Sequence, residues 1–302
     1  MTRHVHEFSA MGSQCVIRID AMAQPEAGKV SGLAEAEVRR IEARYSRFRD
    51  DSDLARINRV AQAGGSVVVD DETAALIGYA FSCFARSDGA FDITSGLLRA
   101  VWDFSRPSLP DPQAVASLLP RIGLDKVVLS GSRLTFTRTG MELDLGGLGK
   151  EYAADRAAEL CLALGARHGF VNLGGDIRVI GPKPDGSGWR VGIRDPVRPD
   201  GEVAGFVLSG GALATSGSYE RFIDIGGRRF CHLLDPRTGC PVRGLWSASV
   251  VAERCLPAGS LATTAMLKGE AGEAWLQAAG PDHLVVDDQG RCRGSGAAWI
   301  NC

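Results

Sequence analysis

The sequence predicts an α+β protein with mostly antiparallel sheets. Apolar residues recur at helical spacing over 25–46 and about 72–86. Short β-type runs broken by glycine pairs fill the second half. The order of strand and helix segments is too irregular for a doubly wound parallel sheet. With 45% hydrophobic content over 302 residues, the chain can bury a sizeable core. No repeat, low-complexity tract or linker interrupts it. Residues 1–302 therefore read as one domain of two interlocked lobes.

Residues 5–20 read as an opening strand pair, clearest at Cys15–Ile19. Val30, Leu33, Ala34, Val38, Ile41 and Tyr45 mark an amphipathic helix over 25–46. A second helix covers about 72–86, with Asp70 or Asp71 as N-cap. The small and polar stretch 87–96 is a loop, 105–112 a surface loop, and Pro112 opens a short helix over 112–119. Lys126–Leu129 and Arg133–Thr137 form a hairpin about Ser130-Gly-Ser132. Glu142–Leu145 reads as a strand that runs through Gly146–Gly149 into a helix over 150–164. Strands follow at 170–172, 177–180, 189–193, 205–208 and 213–215. Phe222–Ile225 and Arg228–Leu234 pair across Gly226-Gly227, the strongest hairpin signal in the chain. A strand at 248–252, helices at 258–267 and 271–279, and strands at 284–287 and 297–300 complete the series.

The composition excludes several function classes. A net charge of −2 supplies no field for nucleic acid or an anionic membrane surface. No apolar stretch is long enough to span a membrane, and no apolar h-region precedes the first strand, so the expected location is cytoplasmic. The eight cysteines form no Cys-x-x-Cys pair, and most read as small buried hydrophobes. No His-Glu-x-x-His or Gly-x-Ser-x-Gly motif is present. His4 and His6 form a metal-like pair that reads as exposed and incidental.

Three clusters are candidates for chemistry. Gly146-Gly-Leu-Gly-Lys150 stands between a strand and a helix, where free backbone N–H groups and a lysine suit a phosphate. Glu151 and Tyr152 break the two common nucleotide-loop patterns, and a tight structural turn explains the glycines equally well. Asn172-Leu-Gly-Gly-Asp176 is either a turn or a close approach of backbone to ligand. In the third, Thr215–Arg221 is followed by Cys231–Gly239. There His232 precedes an Asp-Pro turn at a strand end, a place and residue type suited to a general base.

The order of these clusters is more specific than any one of them. Met11-Gly-Ser13, Ser46-Arg-Phe48, Ser52–Asn58, Gly89-Ala-Phe-Asp-Ile-Thr94 and Trp102-Asp-Phe104 come first. Asp144–Lys150, Tyr152-Ala-Ala-Asp155, Asn172–Asp176, Ser216–Arg221, His232–Gly239 and Ala258–Gly269 follow. Over nearly the whole chain this series resembles the ApbE family of FAD:protein FMN transferases. The resemblance implies a T-fold-like α+β architecture and FAD bound in a cleft between lobes. It implies transfer of FMN to a Thr or Ser hydroxyl of a target protein, with AMP leaving. By matching positions, Met11, Phe48, Ala90, Phe91, Asp92, Asp144, Lys150 and Leu233 contact FAD, and His232 is the catalytic histidine. The family's Mg²⁺ site combines a backbone carbonyl with an Asp-x-x-x-Thr stretch. Here that stretch reads Gly259-Ser-Leu-Ala-Thr263, so the implied metal positions are the Gly147 carbonyl and Thr263. The position at Gly259 lacks the family's carboxylate, but Glu151 starts the helix just after the Gly147 carbonyl and either complements the helix dipole or reaches toward the metal. Two other activities remain open: FAD binding without transfer, and hydrolysis of FAD to FMN and AMP.

Overall fold

The computed structural model describes all residues except Met1, Pro199, Glu220, Ala297, Ala298 and Cys302, with only the backbone of 299–301. Strands β1 (Arg3–Ala10) and β2 (Ser13–Asp20) pair antiparallel across Met11-Gly12. Both turn residues have positive φ, 53° and 72°, the geometry that matches strand twist in a two-residue hairpin. Helix α1 (Gln24–Tyr45) carries Pro25 in its first turn and buries Ala27, Val30, Ala34, Val38 and Ile41. Leu33 instead faces solvent. Next come α2 (Asp53–Ala63), β3 (Gly65–Val68) and α3 (Asp71–Arg86), the last capped by Asp70, which accepts from Thr73 N at 2.9 Å. The short α4 (Pro112–Leu118) precedes the hairpin of β4 (Val127–Ser130) and β5 (Arg133–Phe136). Helix α5 (Gly149–Ala163) leads into β6 (Gly169–Leu173) and β7 (Asp176–Gly181).

The second half contains β8 (Trp189–Arg194), β9 (Glu202–Leu208), β10 (Ala212–Gly217), β11 (Phe222–Ile225), β12 (Arg228–Cys231) and β13 (Leu245–Ala252). Helices α6 (Cys255–Lys268) and α7 (Gly272–Ala279) follow, then β14 (His283–Asp287), β15 (Cys292–Ser295) and β16 (Trp299–Asn301). Eight strands form one antiparallel sheet in the order β1-β2-β6-β7-β10-β13-β14-β15. Alternation along β10 shows its two faces. Ala212 and Ala214 join the core formed with α1 and α5, whereas Leu213 packs with Trp189, Ile193 and Phe206 of the β8–β9 ribbon. A separate apolar cluster of Leu97, Trp102, Val115, Leu118, Ile223 and Leu234 joins the 95–122 segment to the β11–β12 hairpin.

Several expectations need correction. Glu142–Leu145 is extended but joins no ladder. Asp144 N donates to the Ile93 carbonyl at 2.7 Å, and the other partners are side chains of α2, a helix the periodicity did not reveal. Asn58 bonds both Leu143 N and Leu143 O, at 2.8 and 2.9 Å, and Gln62 donates to Met141 O at 3.0 Å. The expected strand 228–234 ends at Cys231. Strands β3 and β15 lacked a strong enough pattern to be foreseen. Of the 297–300 strand, Trp299 and Ile300 belong to β16, while 297 and 298 lie outside the described residues. His4 and His6 are half-buried against α1, bonded to Ser31 Oγ (2.9 Å) and Glu35 Oε2 (2.6 Å). Cys15, Cys161, Cys231 and Cys255 are buried, Cys83 is half-buried, and Cys240 and Cys292 are exposed.

The β2–β6 pairing depends on a glycine. Gly169 has φ 148°, and a Cβ there would overlap the Arg18 carbonyl oxygen. Gly169→Ala is therefore expected to lower stability by about 2–3 kcal/mol, read from the midpoint of urea unfolding.

Candidate active site

Loops that were separate motifs in sequence meet at the start of α5. Asp144 accepts from Gly146 N at 2.9 Å and so shapes the turn before the helix. The same carboxylate pairs with Arg99 and lies 3.5 Å from the Arg47 guanidinium. Lys150 reaches Asp176 Oδ2 at 2.8 Å, which joins the α5 loop to the β6–β7 turn. A Cβ on Gly174 would come within 2.7 Å of Ser13 and 3.7 Å of Lys150 Nζ, so three glycine-bearing loops converge on that lysine. Beside the Met11-Gly12 turn lies a depression of about 450 Å³ lined by Ser9, Gly12, Ser13, Arg39 and Glu42. The Met11 N–H donates to Glu42 Oε1 at 2.5 Å.

The 87–94 loop forms one wall. Ala90 and Phe91 are buried, and the Phe91 ring lies 3.5 Å from where a Cβ on Gly147 would stand. Asp92 is buried in the same loop. Its carboxylate accepts from Thr94 N (2.8 Å), Thr94 Oγ1 (2.7 Å) and Leu124 N (3.1 Å), so its side chain holds the loop. Phe48 is 82% exposed, with the Arg47 guanidinium 4.5 Å from its ring centre. Because Arg47 also approaches Asp144, this open aromatic face stands on the same side as the α5 loop.

His232 leaves the end of β12. Its backbone N–H donates to the Arg221 carbonyl at 3.1 Å, and Nδ1 lies 3.2 Å from the same oxygen. A proton on Nδ1 directed at that carbonyl leaves the lone pair on Nε2, the form a general base requires. Arg221 also approaches the Met11-Gly12 turn, 4.0 Å from a Cβ placed on Gly12. Leu233 packs on the cluster of Leu245, Ala262 and Met266, on the α6 side. Trp102 Nε1 donates to Gly239 O at 2.8 Å, so the 89–104 and 232–239 motifs are physically joined.

The junction of α5 with α6 holds two groups to which the motif order assigns no contact with FAD. Asp155 accepts from Cys255 N (2.7 Å) and Leu256 N (2.9 Å) and lies 3.3 Å from Arg178. It thereby caps α6 across the interface, which explains why that helix starts at Cys255 and not near 258. Glu151 lies four residues earlier, on the same face of α5. It is only 6% exposed, and among the described residues its Oε2 has no hydrogen-bond partner. Burial, reinforced by the Asp176 carboxylate, raises its pKa well above the usual carboxylate range. Complementing the helix dipole returns about 0.3–1 kcal/mol. Burying a lone ionised carboxylate costs several kcal/mol. The dipole alone therefore does not account for Glu151.

Among the described residues, no group of three or more His, Cys, Asp or Glu side chains is set to hold a metal. Mg²⁺ accepts hard oxygens of mixed origin, however. Gly259 and Thr263 share a face of α6, and the unpartnered Glu151 carboxylate packs on Gly259. No backbone N–H among the described residues donates to the Gly147 carbonyl. In chemical type, these hard oxygen donors suit such an ion.

The fold is that of the flavin transferases. The chain is similar to the flavin transferase ApbE of Vibrio cholerae, with a TM-score of 0.86 at 25% identity over 98% of each chain. It is also similar to the ApbE protein of Thermotoga maritima, with a TM-score of 0.88 at 32% identity over 97% of each chain. The chain belongs to the ApbE family, whose profile matches residues 11–285. An FAD:protein FMN transferase of Treponema pallidum is 33% identical over 320 residues, covering 96% of this chain and 87% of that protein. Another, from Haemophilus influenzae, is 28% identical over 263 residues, covering 83% and 75% respectively. Among the described residues, no helix is long and apolar enough to cross a membrane.

Proposed function

We propose that this chain transfers FMN from FAD to a Thr or Ser hydroxyl of a target protein, and that residues 1–302 act as one catalytic domain of two interlocked lobes. The observation that carries the reading is the convergence of the Met11–Ser13, Gly146–Lys150 and Asn172–Asp176 loops on Lys150. His232 is tied to the same turn through Arg221. The acceptor oxygen attacks the phosphorus on the riboflavin side of the pyrophosphate. The bond from that phosphorus to the bridging oxygen breaks, AMP leaves, and the hydroxyl proton passes to His232 Nε2. Lys150 offsets pyrophosphate charge at the start of α5, the end of a helix where an anion is favoured. Phe48 offers its face to the flavin ring, with Ala90 and Phe91 forming the wall behind. Asp144 positions the loop and two arginines, and Asp92 contributes through the loop that it fixes. Met11 and Leu233 add apolar contacts to FAD. Mg²⁺, held by the Gly147 carbonyl and Thr263, would neutralise phosphate charge.

Two measurements test this. In titration calorimetry FAD is expected to bind at least about tenfold more tightly than FMN, because the adenylate half adds contacts. Incubation with FAD, Mg²⁺ and a candidate acceptor should raise the target's mass by one FMN. Free FMN and AMP with an unmodified target would identify a pyrophosphatase. FAD bound without turnover would identify a binding protein.

A further inference from the structure

We propose that Glu151 supplies the carboxylate ligand of the divalent cation, delivered from α5, and that Gly259 is glycine so that this carboxylate can reach the Thr263 face of α6. The assignment rests on the transferase reading for the identity of the cation. Its geometry comes from packing. A Cβ on Gly259 would lie 2.7 Å from Glu151 Oε1 and 2.9 Å from Cδ, closer than side-chain atoms approach. Any side chain at 259 therefore excludes Glu151 from its present position. The carboxylate comes from one helix or from the other, but not from both.

Direction is set by the helix repeat. Asp155 meets Cys255 and Glu151, four residues earlier, meets Gly259, so α5 and α6 run antiparallel here and the start of α5 faces the Thr263 turn. Glu151 is also four residues beyond Gly147, at the start of the helix that follows that loop. Its Oε2 is buried and, among the described residues, without a hydrogen-bond partner, while the neighbouring Lys150 is paired with Asp176. A divalent ion at this point satisfies the orphan oxygen and relieves the repulsion between Glu151 and Asp176.

The test is Mg²⁺ calorimetry on FAD-loaded protein, repeated with Mn²⁺. Glu151→Gln keeps the side-chain volume and is expected to weaken Mg²⁺ about tenfold or more, with FAD affinity in the absence of metal unchanged. It should also abolish the thermal shift produced by Mg²⁺. Gly259→Asp alone is expected to lose stability through overlap with Glu151. Combined with Glu151→Gly, it should restore Mg²⁺ affinity, and this swap decides the matter if Glu151→Gln fails to fold. Parental Mg²⁺ affinity in Glu151→Gln, or no recovery in the swap, overturns the assignment. If the parent still flavinylates its target in that event, the transferase reading stands without it. A parent that binds neither FAD nor Mg²⁺ removes both.

Discussion

His232→Ala is expected to slow FMN transfer by about 10²–10⁴-fold, the usual worth of a positioned general base. FAD affinity should stay near the parental value, because the contacts proposed for FAD are made by other residues, Leu233 among them. The imidazole is held by the Arg221 carbonyl at 3.2 Å and sits just past the end of β12, so its removal leaves the sheet and the core unchanged. Single-turnover mass spectrometry of the acceptor reads the rate, and calorimetry reads the binding. A fall in FAD affinity equal to the fall in rate would make His232 a ligand contact. An undiminished rate would remove it from the mechanism.

The largest expected effect on stability is at Asp155. Asp155→Ala orphans the N–H groups of Cys255 and Leu256 and leaves Arg178 without its carboxylate. Breaking one side of a buried charge pair costs about 3–5 kcal/mol. Urea unfolding should show this as a lower midpoint with an unchanged slope. Transfer should fall as well, because Asp155 sets where α6 begins and α6 carries Gly259 and Thr263. Asp155→Asn, which keeps an oxygen for one of the two N–H groups, is expected to recover part of the loss. A loss within about 0.5 kcal/mol for Asp155→Ala would show that α6 starts where it does for another reason.

These two residues differ in how far the sequence revealed them. His232 was legible because an Asp-Pro turn follows it and because its motif has a fixed place in the series. Asp155 was visible only as the last letter of Tyr152-Ala-Ala-Asp155. Its partners are a hundred residues away, and no local pattern names them. Its spacing from Glu151 was a usable signal, since acids four apart on a buried helix face seldom lack partners. Asp92 shows the opposite case. Its place in the motif series was plain in the sequence, whereas the bonds from Thr94 and Leu124 to its carboxylate were not.

By itself the sequence determined what depends on near neighbours and on order. Helical spacing and capping specified α1 and α3, the glycine pair specified the β11–β12 turn, and the succession of motifs specified the family. These signals act over a few residues, where backbone sterics and side-chain period decide the outcome. Tertiary structure decided the rest. It turned 142–145 from a strand into an extended segment bonded by Asn58 and Gln62, because hydrogen-bonding groups accept any suitable partner that packing brings near. It also set Glu151 against Gly259. Neither residue alone specifies that contact: it exists because two helices pack closely enough that only one of the two positions has room for a side chain.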